Sequence, residues 1–142
     1  MAEEVAALGR RVARCLLQAE ACATRPRPSD LAGEMGIEVV VAGSPPPAQP
    51  GLRSEYTSDP PRITLYADPI SALEAAIHAN QRFDMMKADL TELHIAHELF
   101  HHIEHGARFG PLAREQVETA AHAFAKELMG LDFEPEELSE FG

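Results

Sequence analysis

A chain of 142 residues, 45% of them hydrophobic, is long enough to bury a core as one domain, and no apolar run reaches the length of a membrane span. It carries 23 acidic and 12 basic residues, a net charge of −11, which disfavours direct binding of nucleic acid. The excess is uneven, with 14 acidic against 5 basic residues from Ser71 onward.

The N-terminal segment mixes Glu3, Glu4, Arg10, Arg11 and Arg14 with apolar residues. It reads as an amphipathic helix and not as a signal peptide, so the cytoplasm is the expected location. Cys15 and Cys22 fall on the face of Val5, Leu8 and Val12 and are expected as core thiols; two turns apart on one helix, they cannot bridge. A short helix near Ser29 to Met35 follows, and the β-branched run Ile37 to Ala42 reads as the first strand. Gly43 to Gly51, with Pro45, Pro46, Pro47 and Pro50, reads as an exposed, extended loop. Ser54 to Ser58 and Arg62 to Ala67 are expected as two strands joined by the turn Asp59-Pro60-Pro61. From Asp68 to Lys87 the pattern gives a helix with Asp68 as N-cap and Pro69 in its first turn, then a loop from about Asn80, the whole placed to shape a neighbouring cleft.

Two longer helices close the chain. The first runs from about Asp89 to His105: Asp89 and Glu92 have capping-box spacing, Leu93, Ala96, Phe100 and Ile103 make an apolar stripe, and Gly106 supplies the stop. After a loop to Gly110, Pro111 suits a first turn and the second helix runs to Met129 before Gly130, burying Val117, Ala121, Phe124, Ala125 and Leu128. Residues 131–142 form an acidic tail with Asp132, Glu134, Glu136, Glu137 and Glu140, read as a solvated terminal turn. No internal repeat is present. The expected architecture is a single α+β domain over 1–142, with N-terminal helices, a three-stranded sheet, an inserted helix and two antiparallel helices.

The first of those helices contains His97-Glu98-Leu99-Phe100-His101, an H-E-x-x-H sequence. Residues four apart lie on one helix face, so both imidazoles can reach one metal ion, and Glu98 beside them is suited to take a proton from a metal-bound water. A catalytic zinc takes three protein ligands as a rule. Glu118, next to the apolar face of the second helix, can meet the histidines if the helices are antiparallel neighbours; periodicity alone leaves open whether it is a ligand or a solvated surface residue. For His94, His102 and His105 the plain reading is histidine on a helix whose C-terminal turn favours positive charge, and His78 reads as surface. His94 and His122 are the better candidates for transition-state contacts, with Tyr66 and Tyr56 comparable.

The motif and the stretch Glu118-Thr119-Ala120-Ala121-His122-Ala123-Phe124-Ala125-Lys126-Glu127-Leu128-Met129 together resemble the ImmA/IrrE family of small zinc metallopeptidases, which pairs H-E-x-x-H with a downstream E-x-x-A-N-x-F-A-x-x-L-M. The segment from Ser29 to Val40 looks like that family's opening helix, glycine turn and first strand, so the resemblance covers about Val5 to Gly130. It implies a zincin-like domain, Glu118 as third ligand to Zn²⁺, and hydrolysis of a peptide bond in a protein substrate. Helix-turn-helix repressors encoded as separate proteins are the implied targets, since this chain contains no such module. The alternative H-E-x-x-H-x-x-G-x-x-H pattern is not met, because Glu104 and Ala107 occupy its glycine and third-histidine positions. Two departures stand out. His122 replaces the family's Asn, four residues after Glu118, where a hydrogen bond to a metal ligand is its expected use. The stretch from Asp68 to Lys87 is longer than the family's.

In the resulting reading His97, His101 and Glu118 hold zinc, Glu98 is the general base, and substrate lies as an added strand along the sheet edge, against Arg62 to Ala67. The competing reading is a non-catalytic metal-binding module that sequesters a regulatory protein. A third is a histidine-rich helix with no site. Iron or manganese also suits this ligand set, and the sequence leaves substrate identity and oligomeric state open.

Overall fold

The computed structural model describes residues 2–20, 25–107 and 109–141. The fold is α+β. Helices α1 (Ala2–Glu20) and α2 (Pro28–Glu34) precede strands β1 (Glu38–Ala42), β2 (Ser54–Ser58) and β3 (Pro61–Tyr66). Helices α3 (Ala67–Ala79), α4 (Phe83–Met86), α5 (Leu90–Ala107) and α6 (Arg114–Met129) follow, and a 3-10 segment spans Pro135–Phe141.

The sheet order is β1-β3-β2, with β1 parallel and β2 antiparallel to β3. Ile63 and Leu65 of β3 are buried, and Tyr56 and Ser54 of β2 stand opposite them. Because β3 is central, both its edges are already hydrogen-bonded, and no incoming strand can pair against Arg62 to Ala67. That corrects the expected docking edge: the open edges belong to β1 and β2, and β2 is the one packed beside α5. The third strand also ends at Tyr66, with Ala67 already in α3.

Helix α1 packs along α6 through small residues. A Cβ on Gly9 would sit 2.1 Å from the Ala120 carbonyl oxygen, so only glycine permits this approach, and Ala13, Ala120 and Ala121 are fully buried around it. The buried stripe of α1 is therefore Val5, Gly9 and Ala13, at four-residue spacing. Cys15, two residues past Ala13, turns outward and is exposed, which corrects its reading as a core thiol; Cys22 lies outside the described residues. Phe100, Phe124, Leu99, Ala125 and Leu128 fill the space where α5 meets α6.

Local chemistry sets the element ends. Gly36 and Gly130 adopt left-handed conformations with φ of 75° and 65°, turning the chain after α2 and closing α6. Asp89 Oδ1 accepts the Glu92 N–H, half of the expected capping box, but the Glu92 carboxylate accepts the Ser29 N–H instead and so ties α2 to α5. Helix α5 continues through Gly106 without a left-handed turn, and α6 begins at Arg114 and not at Pro111. Gln116 Oε1 accepts the Ala113 N–H at that start.

The inserted stretch differs more. The N-cap position of α3 is Tyr66, and Asp68 lies inside the first turn, where its carboxylate accepts from Ser44 Oγ. The expected loop after Asn80 contains the short helix α4 with Met85 buried. Neither α3 nor α4 contributes to the cleft described below. The C-terminal segment does. Phe133, Pro135 and Leu138 are buried, so residues 133–138 are packed against the body and only the acidic side chains face water. Lys126 with Glu134 and Arg82 with Glu137 fasten it. No helix among the described residues is long and apolar enough to cross a membrane.

Candidate metal centre

Helix α5 presents His97 and His101 one turn apart, and α6, packed against it, presents Glu118. His97 Nε2 is 2.8 Å from Glu118 Oε2, His101 Nε2 is 3.2 Å from Glu118 Oε1, and the two Nε2 atoms are 3.3 Å apart. One donor atom from each residue lies within 4.8 Å of the others. Tetrahedral zinc, with bonds of about 2.0–2.1 Å, holds its ligand atoms roughly 3.3 Å from one another, so the spacing and the two-nitrogen, one-carboxylate chemistry fit a single ion.

The electrostatics agree. Hydrogen bonds from His101 and then His97 hold the Glu118 carboxyl far below the usual carboxylate range. Burial would depress His101, yet the Glu118 bond and the nearby Glu98 and Glu118 charges outweigh it and raise its pKa. Metal binding to this set would displace the proton that His101 shares with Glu118.

Glu98 is buried, and its Oε2 accepts a hydrogen bond from Ser54 Oγ at 2.8 Å. Ser54 opens β2, so the sheet edge orients the carboxylate that adjoins the donor set. His94 is buried one turn before Glu98 and donates Nδ1–H to the Leu90 carbonyl at 2.7 Å. Desolvation lowers its pKa to about 4, so it is neutral at pH 7. His122 lies with its ring 4.8 Å from that of His97. Desolvation lowers its pKa to about 4 as well. Its buried Nδ1 has no hydrogen-bond partner among the described residues, so at that atom the expected bond to a metal ligand is not made.

The tyrosines separate. Tyr66 is buried, donates to Glu55 at 2.6 Å and does not line the cleft, which removes it from the transition-state candidates. That hydrogen bond, with burial, pushes its phenol up to about 12. Tyr56 does line the cleft, its hydroxyl 2.7 Å from His102 Nδ1. His102 is thus engaged, whereas His78 and His105 are exposed.

His97, His101 and Glu118, with Glu98, His122 and Tyr56, line a cleft of about 1160 Å³ between α5 and α6 on one side and β2 with the C-terminal segment on the other. Arg53, just before β2, Ser54 at its start and Leu138 from the C-terminal segment belong to it although no sequence motif marks them. Their signal is tertiary: a serine at a strand start says nothing until α5 is laid beside it. No protein-family model matches this chain, and comparison with curated proteins and with solved structures likewise gives no match.

Proposed function

We propose that this chain is a zinc-dependent metallopeptidase of the ImmA/IrrE type, with a zincin-like fold. The observation that carries the reading is the convergence of His97, His101 and Glu118 donor atoms beside a buried Glu98, inside a cleft large enough for a peptide. His97, His101 and Glu118 hold the metal, which when bound supplies Lewis acidity towards a water and a carbonyl oxygen. Glu98 takes the proton of the attacking water and passes it to the leaving amine. Ser54 keeps that carboxylate aimed by donating to Oε2, leaving Oε1 for the proton. The substrate backbone runs along the open edge of β2, where main-chain hydrogen bonds fix its register. A helix-turn-helix repressor encoded separately is the substrate that the sequence resemblance supports.

Glu98→Gln tests this reading against the sequestering module. The variant should retain zinc and lose hydrolysis of a trapped or candidate protein substrate by several orders of magnitude. A Glu98→Gln protein that relieves repression as well as wild type would exclude peptidase action as the mechanism.

A further inference from the structure

Arg53 is a half-buried cation in the cleft with no acidic partner. Its backbone is fixed, because its carbonyl accepts the Tyr66 N–H at 2.8 Å. Its guanidinium donates to one acceptor, the Leu138 carbonyl at 3.3 Å, and among the described residues no carboxylate lies within ion-pair distance. Arg10, Arg14, Arg27, Arg62 and Arg82 all engage carboxylates. Among the described residues Arg11, Arg25 and Arg114 also form no ion pair but are exposed, so Arg53 is the one half-buried arginine without a carboxylate, in a chain with 23 acidic residues. Burial lowers its pKa, but guanidinium does not deprotonate in proteins, so several N–H donors and a full charge remain unmatched. A partly desolvated, unpaired charge is costly, and an arriving anion offsets that cost.

The position is informative. Arg53 adjoins Ser54, whose hydroxyl donates to Glu98, and both residues line the cleft. A substrate strand along β2 advances about 3.3 Å per residue, so its groups beside Arg53 and beside Ser54 lie within roughly two residues of each other. The other arginine lining the cleft, Arg114, is exposed.

We propose that Arg53 is a carboxylate-recognition subsite, which binds an acidic group of the substrate within about two residues of the bond placed at Glu98. The carboxylate comes either from a free peptide C-terminus or from an Asp or Glu side chain. The inference rests on the peptidase reading for its register, but its test reads binding alone.

Zinc-loaded Glu98→Gln protein is immobilised and offered random decapeptides, half with free and half with amidated C-termini, and the retained peptides are sequenced. A charge-assisted guanidinium–carboxylate pair should enrich carboxylates about tenfold or more. Free ends over amides identifies the terminal source; Asp and Glu over Asn and Gln at one register identifies the side-chain source. Adding Arg53→Gln, which keeps a donor for the Leu138 carbonyl, should abolish the enrichment, and Arg53→Lys should retain part of it. Thermal melting of each variant checks that the C-terminal segment is still seated. Retention that ignores carboxylates, enrichment that survives Arg53→Gln, or no retention at all would overturn the proposal. Failure of the wild type to cut any peptide, with the carboxylate preference intact, would instead remove the peptidase reading.

Discussion

The two walls of the cleft are held by different forces. The α5–α6 wall, which carries His97, His101 and Glu118, stands on close-packed apolar side chains: Leu99, Phe100, Phe124, Ala125 and Leu128 are fully buried, and α1 braces α6 from behind through Gly9. The opposite wall is an edge strand paired on one side with β3 and a 3-10 segment anchored by Phe133, Pro135 and Leu138, and among the described residues its side-chain hydrogen bonds to α5 are two: Ser54 to Glu98 and Tyr56 to His102. Dense packing tolerates little displacement, so the first wall fixes donor positions. The second is tied to α5 more lightly, since each of these hydrogen bonds is worth only about 0.5–1.5 kcal/mol net, somewhat more where a charge is involved. Firmly packed donors facing a more lightly tied wall suit the proposed site, which would bind an ion and admit a peptide chain.

This contrast can be broken at the packed wall first. Phe124→Ala removes a fully buried ring 5.4 Å from Phe100 and should cost about 3–5 kcal/mol in denaturant unfolding. Zinc affinity should fall with it, because α6 carries Glu118; a cost under about 1 kcal/mol would mean the wall is not packed as described.

Acid should act next, through His94. Its folded pKa of about 4 lies below the ordinary 6.5, so the unfolded chain binds the proton first. Its contribution is complete above pH 6.5 and is lost as pH falls towards 4, amounting to about 3 kcal/mol in the metal-free protein. The stability of wild type relative to His94→Leu should fall by about this difference across that range. Parallel curves would show that His94 is not buried neutral.

The smallest effect on stability belongs to the polar wall. Ser54→Ala should cost about 1–3 kcal/mol, leave bound zinc unchanged, and slow hydrolysis roughly 10–100-fold by freeing Glu98. Loss of zinc from this variant would place Ser54 with the donors and not with the base.

The packed wall was also the part legible in sequence. His97, Glu98 and His101 follow from four-residue spacing, and Phe124 and Leu128 from helical periodicity, because both are rules of one helix. Glu118 needed the second helix to be laid against the first, which periodicity could suggest but not decide. Ser54, Arg53 and Leu138 depend on contacts 44 to 85 residues apart in sequence, and no local pattern encodes them. The C-terminal segment misled for a related reason: five acids suggested a solvated tail, while Phe133, Pro135 and Leu138, spaced among them, supply the anchoring face. The strand order was equally hidden. Placing β3 in the centre leaves β2 as the open edge beside α5, and hairpin spacing alone cannot show which strand β1 pairs with.

The account stands or falls on the three donors sharing one ion. Zinc content after dialysis at pH 7, measured on wild type, His101→Ala and Glu118→Ala, tests it most directly. The geometry predicts one zinc per wild-type chain and loss of most of it in both variants, with Glu118→Ala still folded because its side chain is half exposed. Wild-type protein that holds no zinc, or Glu118→Ala protein that holds as much as wild type, would contradict it.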